Sequence, residues 1–303
     1  MTGELRVGLD IGGTKMLGVV VAADGTVVAQ AREATVAGPD GVLATATRVL
    51  DRLAAEFDGV LPSHVGIGFP GLVDHDRGAV SHAVNLGLGG DWLPLADRLA
   101  ERTGAAVAVE NDVRAAAWGA HVVSGADDLG YLSIGTGLAA GYVLDGRLRR
   151  GAHGASGEIG HVPVDPDGPL CSCGQRGCLE LSAAASALTA VWTTDGELSP
   201  GAAVFAAASS GDPRAVAVRD HFAARVADAI RMLGLSVDPA AIILGGGITD
   251  LGDPLLTAVT DALRAQAATS PFLAAINLAD RVRLLPAGVP AAAIGAAMIW
   301  DAR

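Results

Sequence analysis

Apolar and polar positions along the first third of the chain predict an α/β order. RVGLD, Arg6 to Asp10, reads as a short buried strand. MLGVVVA, from Met16, reads as a second strand across a glycine turn, and the turn at Ala23–Gly25 leads into TVVAQA as a third. From Gly41 to Phe57 apolar residues recur at helical spacing. VGIGF and VAVEN then read as strands, and DVRAAAWGAHVV as a helix.

The pattern then restarts. YLSIGTGLAAGYVLDGRL, Tyr131 to Leu148, repeats the order of VGLDIGGTKMLGVVVAADGTV: a strand ending in a small polar residue, a glycine–threonine turn, a second strand and a D-G turn. Asp10 corresponds to Ser133, GGT to GTG, and Asp24-Gly25 to Asp145-Gly146. A repeat this long, of about 120 residues, exceeds a solenoid unit and suggests two similar α/β domains. Beyond a loop-rich insertion come helices around 201–209 and 213–235, a strand AIILGG, a helix at 254–267, a strand RVRLLP and a last helix AAAIGAAMIWDA.

Composition narrows the function classes. The chain has 303 residues, half of them hydrophobic but only 4% aromatic, so the core is built from Ala, Val, Leu and Ile. The formal net charge of −12 argues against a nucleic-acid partner, and Arg147, Arg149 and Arg150 are too small a basic cluster to carry DNA binding. No apolar run is long enough to span a bilayer, so no membrane partner is expected. MTGELRVGLD carries charges where a signal peptide needs an apolar stretch, and we expect a cytoplasmic protein. Lys15 is the only lysine among the 21 Lys and Arg residues.

Two glycine turns in register, one per repeat, would let backbone N–H groups approach a polyphosphate closely; singly, each reads as a tight hairpin turn. Two similar-looking motifs fail. Gly8 to Lys15 resembles a P-loop, but it ends G-T-K and a strand follows it. Gly66 to Gly71 fits G-x-G-x-x-G by letter, but LVDHDRGAV offers no helix N-terminus to a pyrophosphate.

All three cysteines fall in CSCGQRGC, Cys171 to Cys178. Their odd number and the one-residue gap between Cys171 and Cys173 argue against disulfides. Thiolates select zinc, and a structural zinc takes four ligands. His161, ten residues upstream, is the candidate fourth ligand to Cys171, Cys173 and Cys178. A closed Cys3His site leaves no position for substrate, so the zinc is expected to be structural. The other ring nitrogen of His161 would remain as a fixed donor for a substrate hydroxyl. The competing reading is three small buried thiols.

DIGGTK, GFPGLVD, END at 110–112, GTG at 135–137 and GEIGHVPVDPDGPLCSCGQRGCLE together resemble the ROK family (repressors, open reading frames and sugar kinases), most of all its bacterial glucokinases. The resemblance covers nearly the whole chain in order, and its last motif is highly specific. It implies an α/β fold of two ribonuclease-H-like, actin/hexokinase-type domains around an ATP cleft, with a zinc-binding loop insertion. The expected division is a small domain 1–120, completed by a C-terminal helix at 289–303, and a larger domain 121–288 carrying the zinc loop 161–178.

The resemblance also implies roles. Asp10 would lie near magnesium and the phosphates of ATP. Gly12, Gly13, Thr14 and Lys15 would form the first phosphate loop, and Gly135, Thr136 and Gly137 the second. Gly245 and Gly246 would lie by the adenosine. Asp112 would be the general base toward the sugar 6-hydroxyl, while Gly71, Asn85, Asn111, Asp112, Glu158, His161 and Glu180 would hold the sugar. Each residue has a plainer reading: Asp112 as a helix N-cap, Glu158 and Glu180 as solvated loop charges, Asn85 as a turn residue, Lys15 as a surface lysine, and the glycines at 245–247 as a strand–helix turn.

The implied activity is ATP-dependent phosphorylation of glucose, with an N-acetylhexosamine (N-acetylmannosamine or N-acetylglucosamine) or fructose as the alternative sugar. A sugar-sensing regulator is a rival of another class. Family repressors add an N-terminal helix-turn-helix, and a first strand starting about five residues in leaves no room for one. A polyphosphate-dependent kinase and a non-catalytic binder rank lower. Ala139 and Ala140 stand where glucokinases usually carry glycines, and VRAAAWGA and LSAAAS also depart from the usual pattern, which bears on the sugar. A homodimer or higher homo-oligomer is expected from the family.

Overall fold

A computed structural model describes residues 5–194 and 196–302; the charged N-terminal stretch begins outside them. The first sheet is built from β1 (Arg6–Ile11), β2 (Lys15–Val21), β3 (Val27–Ala34), β4 (His64–Phe69) and β7 (Ala106–Asn111). A small hairpin, β5 (Leu72–Asp74) and β6 (Ala79–Ser81), lies between the last two in sequence. The strand order is β3-β2-β1-β4-β7, with β1, β2 and β3 antiparallel and β1, β4 and β7 parallel.

The second sheet repeats this plan with β8 (Leu129–Ile134), β9 (Leu138–Leu144), β10 (Arg147–Leu148), β11 (Ala241–Gly245) and β12 (Val282–Leu284). Its order, β10-β9-β8-β11-β12, is again third, second, first, fourth and fifth strand, as in the first sheet. The internal repeat read from the sequence is therefore a repeat of topology as well as of turns.

Ten helices accompany the sheets among the described residues. They are α1 (Pro39–Ala55), α2 (Leu95–Thr103), α3 (Asp112–Ser124), α4 (Glu180–Ala183), α5 (Ala185–Val191), α6 (Pro200–Ser209), α7 (Pro213–Val237), α8 (Asp253–Ala268), α9 (Pro271–Ile276) and α10 (Ala291–Ala297). Local chemistry starts several of them. Ser199 and Asp212 accept amide hydrogen bonds as N-caps of α6 and α7, each followed by proline, whose missing N–H costs nothing in a first turn. No helix among the described residues is long and apolar enough to cross a membrane.

Residues up to Asp127, Gly141–Ser156 and those from Pro290 onward form one compact unit; Asp128–Ala140 and Gly157–Val289 form the second. The excursion of Gly141–Ser156 into the first unit has no counterpart in a division at residue 120.

Within the first unit α10 packs on β1, β4 and α3 at backbone contact. A β-carbon on Gly8 would collide with the Ala293 carbonyl, one on Gly66 with that of Ala296, one on Gly119 with that of Ala291, and one on Gly295 with that of Ala115. Only glycine permits this approach. The core beneath α1 and α2 is aliphatic, with Leu43, Leu50, Leu53, Leu95 and Leu99 fully buried.

The structure departs from the sequence expectations at several ends. The hairpin β5–β6 and the helix α2 were not anticipated. The last helix stops at Ala297 and continues as a 3-10 turn, Ile299–Asp301. The strand expected over RVRLLP is confined to Val282–Leu284.

Candidate active site and metal centre

In the first unit, the turn after β1 closes with the Gly12 N–H donating to the Lys15 carbonyl at 3.0 Å. Gly13, Thr14 and Lys15 are exposed. Thr35, just past β3, holds this turn from behind. Its hydroxyl donates to the Gly12 carbonyl at 2.7 Å and its N–H to the Thr14 carbonyl at 3.1 Å. Gly13 faces Asn85, and a β-carbon built on it would lie 3.1 Å from Asn85 Cβ. Asn85 is exposed on the 3-10 turn Val84–Leu86, which the Gly38 N–H pins through the Leu86 carbonyl at 2.7 Å. The candidate phosphate turn and the candidate sugar residue are thus neighbours.

Asp10 lies at the end of β1, in register with Gly68 of β4. Gly68 leaves room there: a β-carbon on it would stand 3.6 Å from the Asp112 Cα. Asp10 titrates far above the usual carboxylate range, at about 7. Burial is the main cause, the charge of Asp112 adds to it, and Lys15 partly offsets both.

The N-cap of α3 is Asn111, not Asp112: the Asn111 Oδ1 accepts from the N–H groups of Val113 and Arg114, both at 3.1 Å. Asp112 is the first residue of the helix, so the capping role belongs to its neighbour. The Asn111 carboxamide nitrogen points to the Gly71 carbonyl at 3.5 Å. Gly71 has φ +94°, and a β-carbon there would lie 2.7 Å from the Ser81 carbonyl oxygen, so glycine is required for the turn itself.

In the second unit, the turn after β8 closes with the Gly135 N–H donating to the Gly137 carbonyl at 3.0 Å, and Thr136 is exposed. Glu180, at the start of α4, accepts the Leu138 N–H on Oε2 at 3.1 Å. The same oxygen would lie 2.6 Å from a β-carbon on Gly137. Glu180 is thus built into the second glycine turn and is not a solvated loop charge. The stretch carrying Glu158 and His161 is pressed onto β9: β-carbons on Gly157 and Gly160 would collide with the carbonyls of Ala140 and Leu138. Ala140 is buried in this contact, with its N–H donating to the Gly157 carbonyl at 2.8 Å, while Ala139 is half-buried and Glu158 exposed.

Gly245 and Gly246 have local steric reasons to be glycine. A β-carbon on Gly245 would collide with the Tyr131 hydroxyl, and one on Gly246, at φ +87°, would lie 2.5 Å from the Ile134 carbonyl oxygen.

His161, Cys171, Cys173 and Cys178 converge, with their donor atoms all within 4.8 Å of one another. The Cys171 Sγ lies 3.7 Å from the His161 Nδ1, and the Cys173 Sγ 3.6 Å from the Cys178 Sγ. A tetrahedral zinc with bonds of about 2.3 Å to sulfur and about 2.0 Å to nitrogen spaces its donors roughly 3.4–3.8 Å apart. The donor set fits zinc in kind, and the Cys171–His161 and Cys173–Cys178 pairs fit it in spacing. The loop is shaped by its own backbone: the Cys171 N–H donates to the Gln175 carbonyl at 2.7 Å, and the Gly174 N–H to the Cys171 carbonyl at 2.9 Å. The backbone and side-chain N–H groups of Gln175 hold the Cys173 thiol down at about 6, while burial pushes Cys178 up to about 12. A cation is what would make a thiolate of the second.

The structure therefore gathers the candidate residues into two sets. Asp10, Gly12, Gly13, Thr14, Lys15, Gly71, Asn85, Asn111 and Asp112 belong to the first unit. Gly135, Thr136, Gly137, Glu158, His161, Glu180, the three cysteines, Gly245 and Gly246 belong to the second. Sequence reading missed Thr35, whose place behind the turn follows only from the pairing of β3 with β2, and the ion cluster of Glu110, Arg114 and Arg150, whose third member lies 40 residues from the first.

The chain matches the ROK family over residues 6–303. It is 33% identical over 293 residues to a glucokinase from Halalkalibacterium halodurans, covering 88% of this chain and 87% of that one. It is 32% identical over 242 residues to an N-acetylmannosamine kinase from Yersinia pseudotuberculosis, covering 79% and 82%. Among solved structures, a ROK family glucokinase from Streptomyces griseus in complex with glucose and AMPPNP superposes with a TM-score of 0.80 at 32% identity, covering 97% of this chain and 98% of that one. A ROK family transcriptional regulator, a homologue of the Escherichia coli MLC protein, superposes with a TM-score of 0.79 at 27% identity, covering 98% and 78%.

Proposed function

This chain belongs to the ROK family, and on that footing we propose that it is an ATP-dependent sugar kinase acting on the 6-hydroxyl of a hexose, glucose first. The observation that carries the residue assignment is the corner at Asn111–Asp112. Asn111 does the capping, and Asp112 stands beside Asp10 at the end of the sheet.

A sugar hydroxyl is a weak nucleophile. In our reading Asp112 accepts its proton as the oxygen attacks the γ-phosphorus in line and the bond to the β-phosphate oxygen breaks. Gly12, Gly13, Thr14 and Lys15, and Gly135, Thr136 and Gly137, offer N–H groups and one ammonium to the charge that builds on the phosphoryl oxygens. Magnesium bound with the nucleotide would supply charge neutralisation near Asp10. Gly245 and Gly246 would lie by the adenosine. Gly71, Asn85, Asn111, Glu158, His161 and Glu180 would hold the sugar hydroxyls, rejecting sugars that leave these groups unpartnered. His161, Cys171, Cys173 and Cys178 would hold a structural zinc, which fixes the His161 ring and leaves its Nε2 for the sugar.

The N-acetylmannosamine kinase relative supports a second reading, in which an N-acetylhexosamine is the acceptor; fructose is a third candidate sugar. The regulator among the structural neighbours keeps open a sugar sensor without turnover. A cytoplasmic location and a homo-oligomer fit the proposed role. The test is ADP release with ATP, magnesium and a panel of hexoses and N-acetylhexosamines, alongside Asp112→Asn. Turnover with one sugar, lost in the variant by about 10²–10⁴-fold, supports the kinase and its base. Stabilisation by a sugar without turnover would replace the kinase with the sensor.

A further inference from the structure

Glu110 is fully buried, and its carboxylate is used by three donors. Oε1 accepts the Asn111 N–H at 2.9 Å and the Arg114 Nε–H at 2.7 Å. Oε2 accepts the Arg150 Nε–H at 2.6 Å. Arg114, only 4% exposed, uses its Nη1 to donate to the Gly154 carbonyl at 2.6 Å. One carboxylate oxygen thus grips the residue before Asp112 and the residue two after it. The Asn111 Oδ1 braces the same corner from the other side through the N–H groups of Val113 and Arg114.

The loop that supplies Arg150 and Gly154 is itself folded back. A β-carbon on Gly151, at φ +76°, would lie 3.1 Å from Ser156 Cβ. Burial alone would push the Glu110 carboxyl up, but Arg114 and Arg150 outweigh it and hold it below the usual range, so the cluster is ionised. A buried ion cluster is a poor way to gain stability compared with apolar packing of the same volume, but it fixes directions that apolar packing leaves free.

We propose that Glu110, Arg114 and Arg150 are positioning residues that set the strand-to-helix corner carrying Asn111 and Asp112, with the 150–154 loop as the outer anchor of that corner. The idea rests on the kinase reading for its catalytic consequence, though not for its structural one. A loosened corner moves the base relative to the acceptor hydroxyl, so the loss falls on kcat, with little effect on nucleotide affinity.

The test compares the parent with Glu110→Gln, Arg150→Gln and Arg150→Lys, all as full chains. Arg150→Gln covers the case in which Glu110→Gln fails to fold, because Arg150 is partly exposed. The expected result is a kcat at least tenfold lower in the two Gln variants, a KM for ATP within about twofold of the parent, and partial recovery in Arg150→Lys. In the same proteins, amide hydrogen exchange over 110–114 and 150–154 should quicken together. Folded Gln variants with parental kcat would overturn the proposal, whatever their melting temperature. If the parent turns over no sugar, the kinase reading fails by itself and the exchange data decide: unchanged exchange over 110–114 in Arg150→Gln overturns the positioning role, and quickened exchange upholds it.

Discussion

Gly13 faces Asn85 in the first unit: a β-carbon on Gly13 would stand 3.1 Å from the Asn85 Cβ. A candidate phosphate-turn residue and a candidate sugar residue are therefore neighbours, and a side chain at position 13 would press on Asn85. Gly13→Ala is expected to raise KM for the sugar as well as for ATP, each by roughly three- to tenfold, because the turn is exposed and the added methyl must displace Asn85. Steady-state kinetics with each substrate varied will check this. A rise for ATP alone would mean that the contact carries no coupling.

Thr35 is expected to act on the nucleotide without meeting it. Its hydroxyl hydrogen bond to the Gly12 carbonyl is the kind worth about 1 kcal/mol net, or roughly fivefold in an equilibrium. Thr35→Val keeps the shape and removes that bond. KM for ATP should rise about fivefold, and Thr35→Ser should restore it.

The metal centre makes a compositional prediction and a stability one. Elemental analysis of the purified protein should find one zinc per chain. Removing it with a chelator, or replacing Cys173 by Ser, should lower the melting temperature by at least about 5 °C, since structural zinc sites of this kind contribute folding free energy directly. A Cys173→Ser protein of parental stability and parental sugar binding would end the zinc assignment.

Asp10 gives the chain a pH dependence. Its folded-state value, about 7, lies above the unfolded value of 3.8. The folded protein therefore binds the proton more tightly. Stability from this group is fully present below pH 3.8 and is lost as the pH rises through about 7, by up to about 4 kcal/mol. Chemical denaturation of the magnesium-free and nucleotide-free protein between pH 5 and pH 8 should show this decline, and Asp10→Asn should flatten it. The same variant should be more stable than the parent at pH 8 and catalytically impaired, the pattern of a site that strains its own fold.

Strands buried along their length were plain from the sequence. RVGLD and VGIGF are short runs between turn residues, and they form the centre of the first sheet. The hairpin β5–β6 was not readable. Three-residue strands carry too little pattern, and theirs is set by Gly71 closing on Ser81. The signal for α2 was present in Leu95, Ala96 and Leu99, followed by Gly104 in the left-handed region, but acidic and basic residues between them dilute it. At the candidate site, glycine turns and the cysteine cluster were legible because their residue types are rare or diagnostic. The cluster beneath Asp112 was not: Glu110 stands in the END stretch, but its partner Arg150 lies 40 residues further on and is brought to it only by the chain path.

The seam between α10 and the first sheet also bears on biosynthesis. Gly8 meets Ala293 and Gly66 meets Ala296, so the helix that completes the first unit leaves the ribosome long after the strands it covers. Translation at about 5–20 residues per second leaves β1 and β4 without that partner for on the order of tens of seconds. The second unit, complete at Val289, is fully synthesised before the first. During that interval the backbone at Gly8 and Gly66 stays without the helix that covers it in the finished unit.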